Sequence, residues 1–162
     1  QVIRRVASAN GRGVADRLRQ HAPQAVVVNG TRILSQKLLA AVDAPFINTH
    51  MGITPAYRGV HGGYWALANN DRAHCGVTVH LVDAGVDTGG ILYQATITPE
   101  ADDNFATYPI LQLVQGLSLM KAALRDAAAG RVVPRAGEGP SRQWYHPGLI
   151  GYWKTRLRHG VK

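Results

Sequence analysis

Apolar runs alternate with polar turns along the first third of the chain, in the order helix, strand, helix, strand. Residues 13–21 (GVADRLRQH) predict a helix, and the β-branched run AVVVN at 25–29 predicts a short buried strand. A second helix is predicted over 35–42 with Ser35 as its N-cap, and a second strand over 46–50. Because a helix separates two consecutive strands, the pattern predicts a βαβ unit with parallel strands.

A loop, a short helix, two strands and a long helix are predicted to follow. Residues 51–63 contain four glycines and one proline, which is typical of a loop, and a short helix is predicted over 64–69. Strands are predicted over 76–82 and 91–97, joined by the polar connection DAGVDTGG. The long helix is predicted to begin at Asn104 or Thr107, to reach Ala129 and to bury the stripe Leu113, Leu117, Met120 and Leu124.

These elements predict an α/β fold. The sheet is expected to be largely parallel, with helices on both faces and with the later strands partly antiparallel. In the strand over 76–82, apolar side chains alternate with Thr78 and His80, so these two lie on the opposite face from the valines. At this stage His80 is interpreted as a structural residue of that strand.

Composition excludes several classes of protein. The chain has 162 residues, the size of one globular domain, and its 46% of hydrophobic residues exclude intrinsic disorder. No run of 18 apolar residues is present, so the sequence predicts no membrane-spanning helix. The single Cys75 cannot form an internal disulfide, which suits a reducing cytoplasm or a protein that is indifferent to redox state. The first residues contain neither a signal-peptide core nor an initiator Met, so we treat the N-terminus as trimmed.

The formal net charge of +8 is concentrated at the two ends. Residues 1–24 and 131–162 hold 12 of the 18 basic residues and two of the ten acids. Such a segment binds nucleic acid, an anionic membrane or a phosphorylated substrate, or is only a solvated surface. Aromatic and basic residues do not interleave as in a base-stacking surface, and no Cys/His spacing suits zinc. We therefore expect no specific nucleic-acid partner and no metal.

Polar side chains gather where the second predicted strand ends. Asn48 and His50 are two residues apart, so they point to the same side of a strand. Ligands of open α/β sheets bind beyond the carboxyl ends of the strands, where an amide and an imidazole can donate to one oxyanion. Asp83 or Asp87, in DAGVDTGG, is a candidate to hold the imidazole charged or to accept a proton. The alternative is that Asn48 and His50 only cap a strand and a turn.

Three ordered stretches carry a family resemblance: INTHMGITPAYRG, HGGYWALANND and GVTVHLVDAGVDTGGIL. They resemble the folate-dependent formyltransferases, which include glycinamide ribonucleotide, methionyl-tRNA and sugar-nucleotide formyltransferases. The resemblance covers residues 23–125 and implies a Rossmann-like formyltransferase fold. It implies a catalytic domain over 1–130 and a basic, aromatic extension over 131–162. Family members have a longer segment before Asn-x-His, so the N-terminal strand of the fold is expected to be missing.

The resemblance also assigns site residues. Asn48, His50 and Asp87 match the family's catalytic trio, in which the first two bind the oxyanion and the aspartate accepts the proton of the amine. The co-substrate would be 10-formyltetrahydrofolate, without a metal. Its implied contacts are Arg32, Ile33 and Leu34 on one side and Asp83, Ala84, Gly85 and Val86 on the other. For the acceptor, the loop implies Tyr57, Arg58 and His61, with the alternative that Arg58 braces the loop.

The implied function is formyl transfer to a primary amine of a small metabolite. The acceptor is expected to be an amino sugar nucleotide or glycinamide ribonucleotide. The alternatives are a formyltetrahydrofolate hydrolase and a non-catalytic module that binds folate or an anion. The sequence leaves open whether the aromatic tail covers the sheet, packs on a second subunit as in a homodimer, or touches the acceptor.

Overall fold

The computed structural model describes residues 3–162. Its helices are α1 Arg12–His21, α2 Gln36–Leu39, α3 Gly62–Ala68, α4 Tyr108–Ala128 and α5 Leu149–His159, with a 3-10 turn at Arg72–His74. Its strands are β1 Val26–Val28, β2 Phe46–His50, β3 Arg58–Gly59, β4 Gly76–Leu81, β5 Ile91–Thr96 and β6 Gln143–Trp144. Each predicted element is present, and all but α2 lie within two residues of their predicted bounds.

The predicted βαβ unit is confirmed. β1 and β2 pair in parallel with Val27 opposite Ile47, and α2 lies between them in the chain. The Ser35 hydroxyl accepts from Leu38 N at 3.3 Å, as the N-cap prediction requires. The helix is shorter than predicted and ends at Leu39.

The α/β class is confirmed, but the prediction of a largely parallel sheet is wrong. The main sheet has the order β1-β2-β4-β5, and β2–β4 and β4–β5 are both antiparallel. The difference arises between β2 and β4, where the register pairs His50 with Thr78. The chain therefore enters β4 at the end of the sheet where β2 stopped. A parallel strand would require the connection to cross along the sheet to its other end, whereas residues 51–75 return to the end where β2 stopped.

Helices cover the two faces of the sheet, as predicted. On one face Val28 and Phe46 pack with Leu34 and Leu38 beneath α1 and α2. On the other face Ile47 and Val79 pack with Met120 and Ala123 of α4. Because side chains alternate along β2 and β4, Asn48, His50 and His80 lie on the Phe46 face.

The predicted apolar stripe of α4 is only partly correct. Met120 is buried and Leu124 packs in the same cluster, but Leu113 and Leu117 are 41% and 56% exposed. The buried side of the helix instead consists of Tyr108, Gln112, Gly116, Met120 and Ala123. A Cβ at Gly116 would lie 2.8 Å from Thr49 Cγ2, so the missing side chain permits the close approach of helix and sheet. The predicted start is confirmed, with Thr107 as N-cap and Pro109 in the first turn.

The C-terminal residues pack on the rest of the chain. β6 pairs in parallel with β3, so that Gly59 lies opposite Trp144. Trp144 and Val161 belong to the same buried cluster as Tyr57 and Tyr64. Among residues 3–162, no helix is both long and apolar enough to cross a membrane.

Candidate active site

A cavity of about 510 Å³ opens beyond the carboxyl ends of β1 and β2. This volume is typical of a small-molecule site. It brings together ten of the thirteen predicted site residues: Arg32, Ile33, Leu34, Asn48, His50, His61, Asp83, Gly85, Val86 and Asp87. Ala84, Tyr57 and Arg58 are not among its lining residues.

The orientation of His50 follows from one hydrogen bond. Its Nε2 lies 2.6 Å from the carbonyl oxygen of Tyr57, and a carbonyl only accepts, so Nε2 carries a proton. The other ring nitrogen, Nδ1, then faces Oδ2 of Asp87 at 3.3 Å. The side chain of His50 is buried. The ring is thus fixed with its titrating nitrogen toward the carboxylate.

Asp87 lies on the loop after β4 with a left-handed backbone, φ +50°. Its Oδ2 accepts from Gly59 N at 2.9 Å, and its Oδ1 lies 3.5 Å from His80 Nε2. Burial by itself raises the pKa of Asp87, but the hydrogen bond and charge that a protonated His80 or His50 supplies, together with the Gly59 N–H, stabilise the carboxylate more. The pKa of Asp87 is therefore lowered, and the carboxyl group is ionised.

The contact with Asp87 and the burial of the ring have opposite effects on the pKa of His50. Burial lowers the pKa of His50, while Asp87 and the hydrogen bond to Tyr57 raise it; the net direction is downward. A proton added to Nδ1 lies between the imidazole and the carboxylate. The pair can therefore hold, accept or release one proton inside the cavity.

The sequence offered Asp83 or Asp87 as the partner of the His50 imidazole, and the structure places Asp87 beside it. The Asp83 carboxylate accepts from Gly85 N at 3.0 Å and from Thr88 Oγ1 at 2.7 Å. These bonds shape the turn that carries Asp87 into the cavity. Asp83 still lines the cavity wall, together with Val86.

His80 is part of the site, although the sequence interpretation made it structural. It lies directly opposite Asn48 in the β2–β4 ladder, and its Nε2 is 3.3 Å from Asn48 Nδ2. Its Nδ1 lies 2.7 Å from the Leu81 carbonyl oxygen and must donate, so in the neutral ring Nε2 is the acceptor of the Asn48 amide. The alternation of β4 placed His80 on the face opposite the valines, but only the β2–β4 register brings that face beside Asn48.

The prediction that Tyr57 and Arg58 contact the acceptor is not supported by their positions. The Tyr57 ring stacks on Trp144 with centroids 5.8 Å apart, and its hydroxyl donates to Asp71 at 2.8 Å, outside the cavity. Arg58 donates to the Val86 carbonyl at 2.8 Å and to Ser141 Oγ at 2.9 Å. Arg58 therefore braces the loop that carries Asp87, the alternative recognised in the sequence.

His146 also lines the cavity, and no local sequence signal pointed to it. Its Nδ1 lies 2.9 Å from Nε2 of His61. The residue comes from the C-terminal extension, which reaches the cavity because β6 pairs with β3. Only this tertiary pairing brings the two histidines together.

Comparison with known proteins gives consistent results. The family model described as formyl transferase matches residues 4–109. The methionyl-tRNA formyltransferase of Anaeromyxobacter sp. (strain K) is 38% identical over 123 residues, which are 75% of this chain and 39% of that protein. The chain thus spans about two-fifths of the length of that curated relative.

Two solved structures share the fold. Glycinamide ribonucleotide transformylase 1 from Symbiobacterium toebii has a TM-score of 0.66 and 30% identity, covering 81% of this chain and 59% of its own. The formyltransferase PseJ from Anoxybacillus kamchatkensis, solved with UDP-4,6-dideoxy-4-formamido-L-AltNAc and tetrahydrofolate, has a TM-score of 0.65 and 20% identity. That match covers 75% of this chain and 64% of PseJ.

Proposed function

This chain belongs to the formyl transferase family, and on that basis we propose that it transfers a formyl group from 10-formyltetrahydrofolate to a primary amine. One observation carries the proposal. Asn48, His50 and Asp87, which the family resemblance assigns as the catalytic trio, converge on a single cavity, and His50 and Asp87 are in contact.

The cavity suits a folate. Its wall after β1 holds Ile33 and Leu34 with the backbone of Gly30 and Thr31, a combination of apolar surface and amide groups that fits a flat heteroaromatic ring. Val86 and Gly85 form the facing wall. The bound co-substrate would supply the formyl group and the leaving nitrogen. The chain's residues would supply orientation, charge stabilisation and proton transfer.

Asn48 and His50 would stabilise the oxyanion that forms when the amine adds to the formyl carbon. One N–H of Asn48 Nδ2 is directed at His80, and the second remains for the oxyanion. His50 has Nε2 bound to Tyr57 and Nδ1 facing Asp87, so it would stabilise the oxyanion through the positive charge of the ring once Nδ1 is protonated. One preorganised donor of this kind is worth about 2.7–4 kcal/mol in the transition state.

Asp87 would manage the proton. The attacking amine loses a proton as the new C–N bond forms, and the folate nitrogen gains one as the old C–N bond breaks. The ionised Asp87 accepts the first proton directly or through water, and the His50–Asp87 pair returns one to the leaving nitrogen. The net charge of the site is unchanged after one turnover.

For the acceptor we propose a primary amine on a phosphate-bearing small metabolite, an amino sugar nucleotide or glycinamide ribonucleotide. The names of two relatives support this class, since PseJ was solved with a UDP-sugar and the Symbiobacterium enzyme is a glycinamide ribonucleotide transformylase. We still expect the protein to act in the cytoplasm and to have no specific nucleic-acid partner.

The test separates binding from transfer. Calorimetry with folinic acid, whose formyl group is on N5 and not on N10, should give saturable binding to the parent chain and to Asp87→Asn and His50→Gln. Tetrahydrofolate release from 10-formyltetrahydrofolate should then require an added amine and fall by about 10²–10⁴-fold in the two variants. Asp16→Asn, on the exposed face of α1, is the matched control and should leave the transfer rate unchanged.

Two results would overturn the proposal. A folded chain that does not bind folinic acid has no working folate site. Formate release that proceeds without any amine would instead identify a hydrolase acting on the same donor.

A further inference from the structure

Two histidines outside the catalytic cluster face each other at the cavity. His61 Nε2 and His146 Nδ1 are 2.9 Å apart, with ring centroids separated by 4.9 Å and planes inclined at 68°. His61 is half-buried and His146 is exposed, so the pair connects the cavity to solvent. The chemistry proposed above uses neither ring.

The position of His146 is set by the polar and stacking contacts of its segment. Trp144 Nε1 donates to the Ala56 carbonyl at 2.9 Å, and Trp65 Nε1 donates to the Tyr145 carbonyl at 2.9 Å. The rings of Trp65 and Trp144 stack with centroids 4.7 Å apart. These contacts flank the residue on its N-terminal side, so the approach of the two imidazoles does not depend on their own hydrogen bond.

The pair has unused hydrogen-bonding capacity. Each ring uses one nitrogen in the mutual contact, and within residues 3–162 the other nitrogens, His61 Nδ1 and His146 Nε2, have no hydrogen-bond partner. When the pair is neutral, a single N–H forms the contact, and one outward nitrogen is a donor while the other is an acceptor. When the pair gains one proton, both outward nitrogens become N–H donors and the pair carries a unit positive charge.

We propose that His61 and His146 together bind a phosphate group of the amine acceptor. The inference rests on the proposed function, because it assigns the part of the acceptor that lies away from the reacting amine. A phosphate supplies several acceptor oxygens and negative charge, and the protonated pair supplies two N–H donors and positive charge. Arg32, on the wall after β1, adds a guanidinium to the same cavity.

The surroundings of the pair favour an anion over a metal or a carboxylate of the chain, since among residues 3–162 no group of three or more His, Cys, Asp or Glu side chains could hold a metal ion. No Asp or Glu within the described residues forms an ion pair with either histidine. Burial and the neighbouring His146 lower the pKa of His61, so the pair has a positive charge to gain when a counter-ion arrives. A bound phosphate provides that counter-ion.

The test uses inorganic pyrophosphate as the probe and the histidine Cε1–H resonances as the readout. At pH 6, titration of the parent chain should shift the His61 and His146 resonances along one saturable curve. His61→Gln and His146→Gln should each weaken pyrophosphate binding about tenfold or more, because glutamine keeps a donor and an acceptor but cannot become cationic. His21→Gln, at the exposed end of α1 and outside the cavity, is the matched control and should bind as the parent does.

The outcomes are distinct from those of the proposed function. If neither resonance moves, or if His21→Gln weakens binding as much as His146→Gln, the phosphate site is refuted. If folinic acid fails to bind while pyrophosphate still shifts both histidines, the formyl-transfer proposal fails and the anion site stands. Folinic acid binding that is equal in the parent and His146→Gln, combined with a tenfold loss for pyrophosphate, supports both.

Discussion

The amide nitrogen of Asn48 lies 3.3 Å from Nε2 of His80, its direct neighbour across the β2–β4 ladder. Because Nδ1 of His80 is committed to the Leu81 carbonyl, Nε2 is an acceptor, and the Asn48 carboxamide is held with its nitrogen toward His80. His80 is therefore a positioning residue. It fixes which end of the Asn48 side chain can donate to an oxyanion.

Replacement of His80 by leucine should lower kcat about tenfold or more and leave the affinity for folinic acid unchanged, because the amide of Asn48 loses the acceptor that orients it. His80→Gln offers a carbonyl oxygen to the same amide and should recover part of the loss. Steady-state kinetics with both variants test this. Equal losses in kcat for leucine and glutamine would show that the histidine only fills space.

The sequence was sufficient for the parts of the site that one strand carries. The period of two along β2 placed Asn48 and His50 on one face. Along β4 it placed His80 opposite the valines, but the β2–β4 register was needed to bring His80 beside Asn48. Asp87 was found by family resemblance, because its approach to His50 depends on a loop that Arg58 and Gly59 hold in place. His146 had no local signal, since it reaches the cavity only through the β3–β6 pairing.

Helix packing was less predictable for a related reason. An apolar stripe indicates that a helix is buried, but the packed face of α4 is centred on Gly116 and Gln112. Gly116 allows contact with Thr49 and Val77, and the Gln112 side chain donates to the Gly76 carbonyl. Close approach and one buried hydrogen bond therefore determined the face, and counting apolar residues does not detect either.

Arg58 connects the loop after β2 to the segment before Asp87, the proposed proton acceptor. Arg58→Met removes the bonds to Val86 O and Ser141 Oγ, and we expect kcat to fall about tenfold, because the loop before Asp87 is released. Arg58→Lys keeps the charge but cannot bond both Val86 O and Ser141 Oγ. Its kcat should therefore lie between that of Arg58→Met and that of the parent chain. Rates measured with saturating folate test this; a methionine variant as fast as the parent would contradict it.

Stability should decline as the pH falls below about 6.5, the ordinary pKa of histidine. The pKa values of His50 and His61 are lowered, mainly by burial, so in this range the unfolded chain binds protons that the folded chain does not. The free energy of unfolding therefore rises with pH between the folded-state and the unfolded-state pKa values of these histidines. The stability that they contribute is lost as the pH falls from about 6.5 toward the folded-state values. Urea unfolding at pH 7.5 and 5.5 measures the difference.

His50→Gln should flatten this pH dependence, because it removes the more deeply buried of the two imidazoles. Asp87 contributes in a lower range. Its pKa is depressed in the folded chain, so the stability it provides is present above the ordinary pKa of aspartate and is lost only as pH falls through the lowered value. A parent chain that is equally stable at pH 7.5 and 5.5 would refute the assignment to the histidines.

Substitution of Gly52 should lower both the stability of the chain and the rate of transfer. A Cβ at this position would lie 2.3 Å from the Tyr57 carbonyl oxygen and 2.7 Å from His50 Nε2, inside the hydrogen bond that orients His50. Gly52→Ala should therefore cost about 1–3 kcal/mol of unfolding free energy, and it should lower kcat in the fraction that folds.

Gly13→Ala, on α1 with no heavy atom within 4 Å of the new Cβ, is the matched control and should stabilise the chain by up to about 1 kcal/mol. Urea unfolding gives the first quantity and single-turnover transfer the second. If Gly52→Ala lowers stability but leaves the single-turnover rate unchanged, the hydrogen bond to the Tyr57 carbonyl is not what fixes the His50 ring for the proposed reaction.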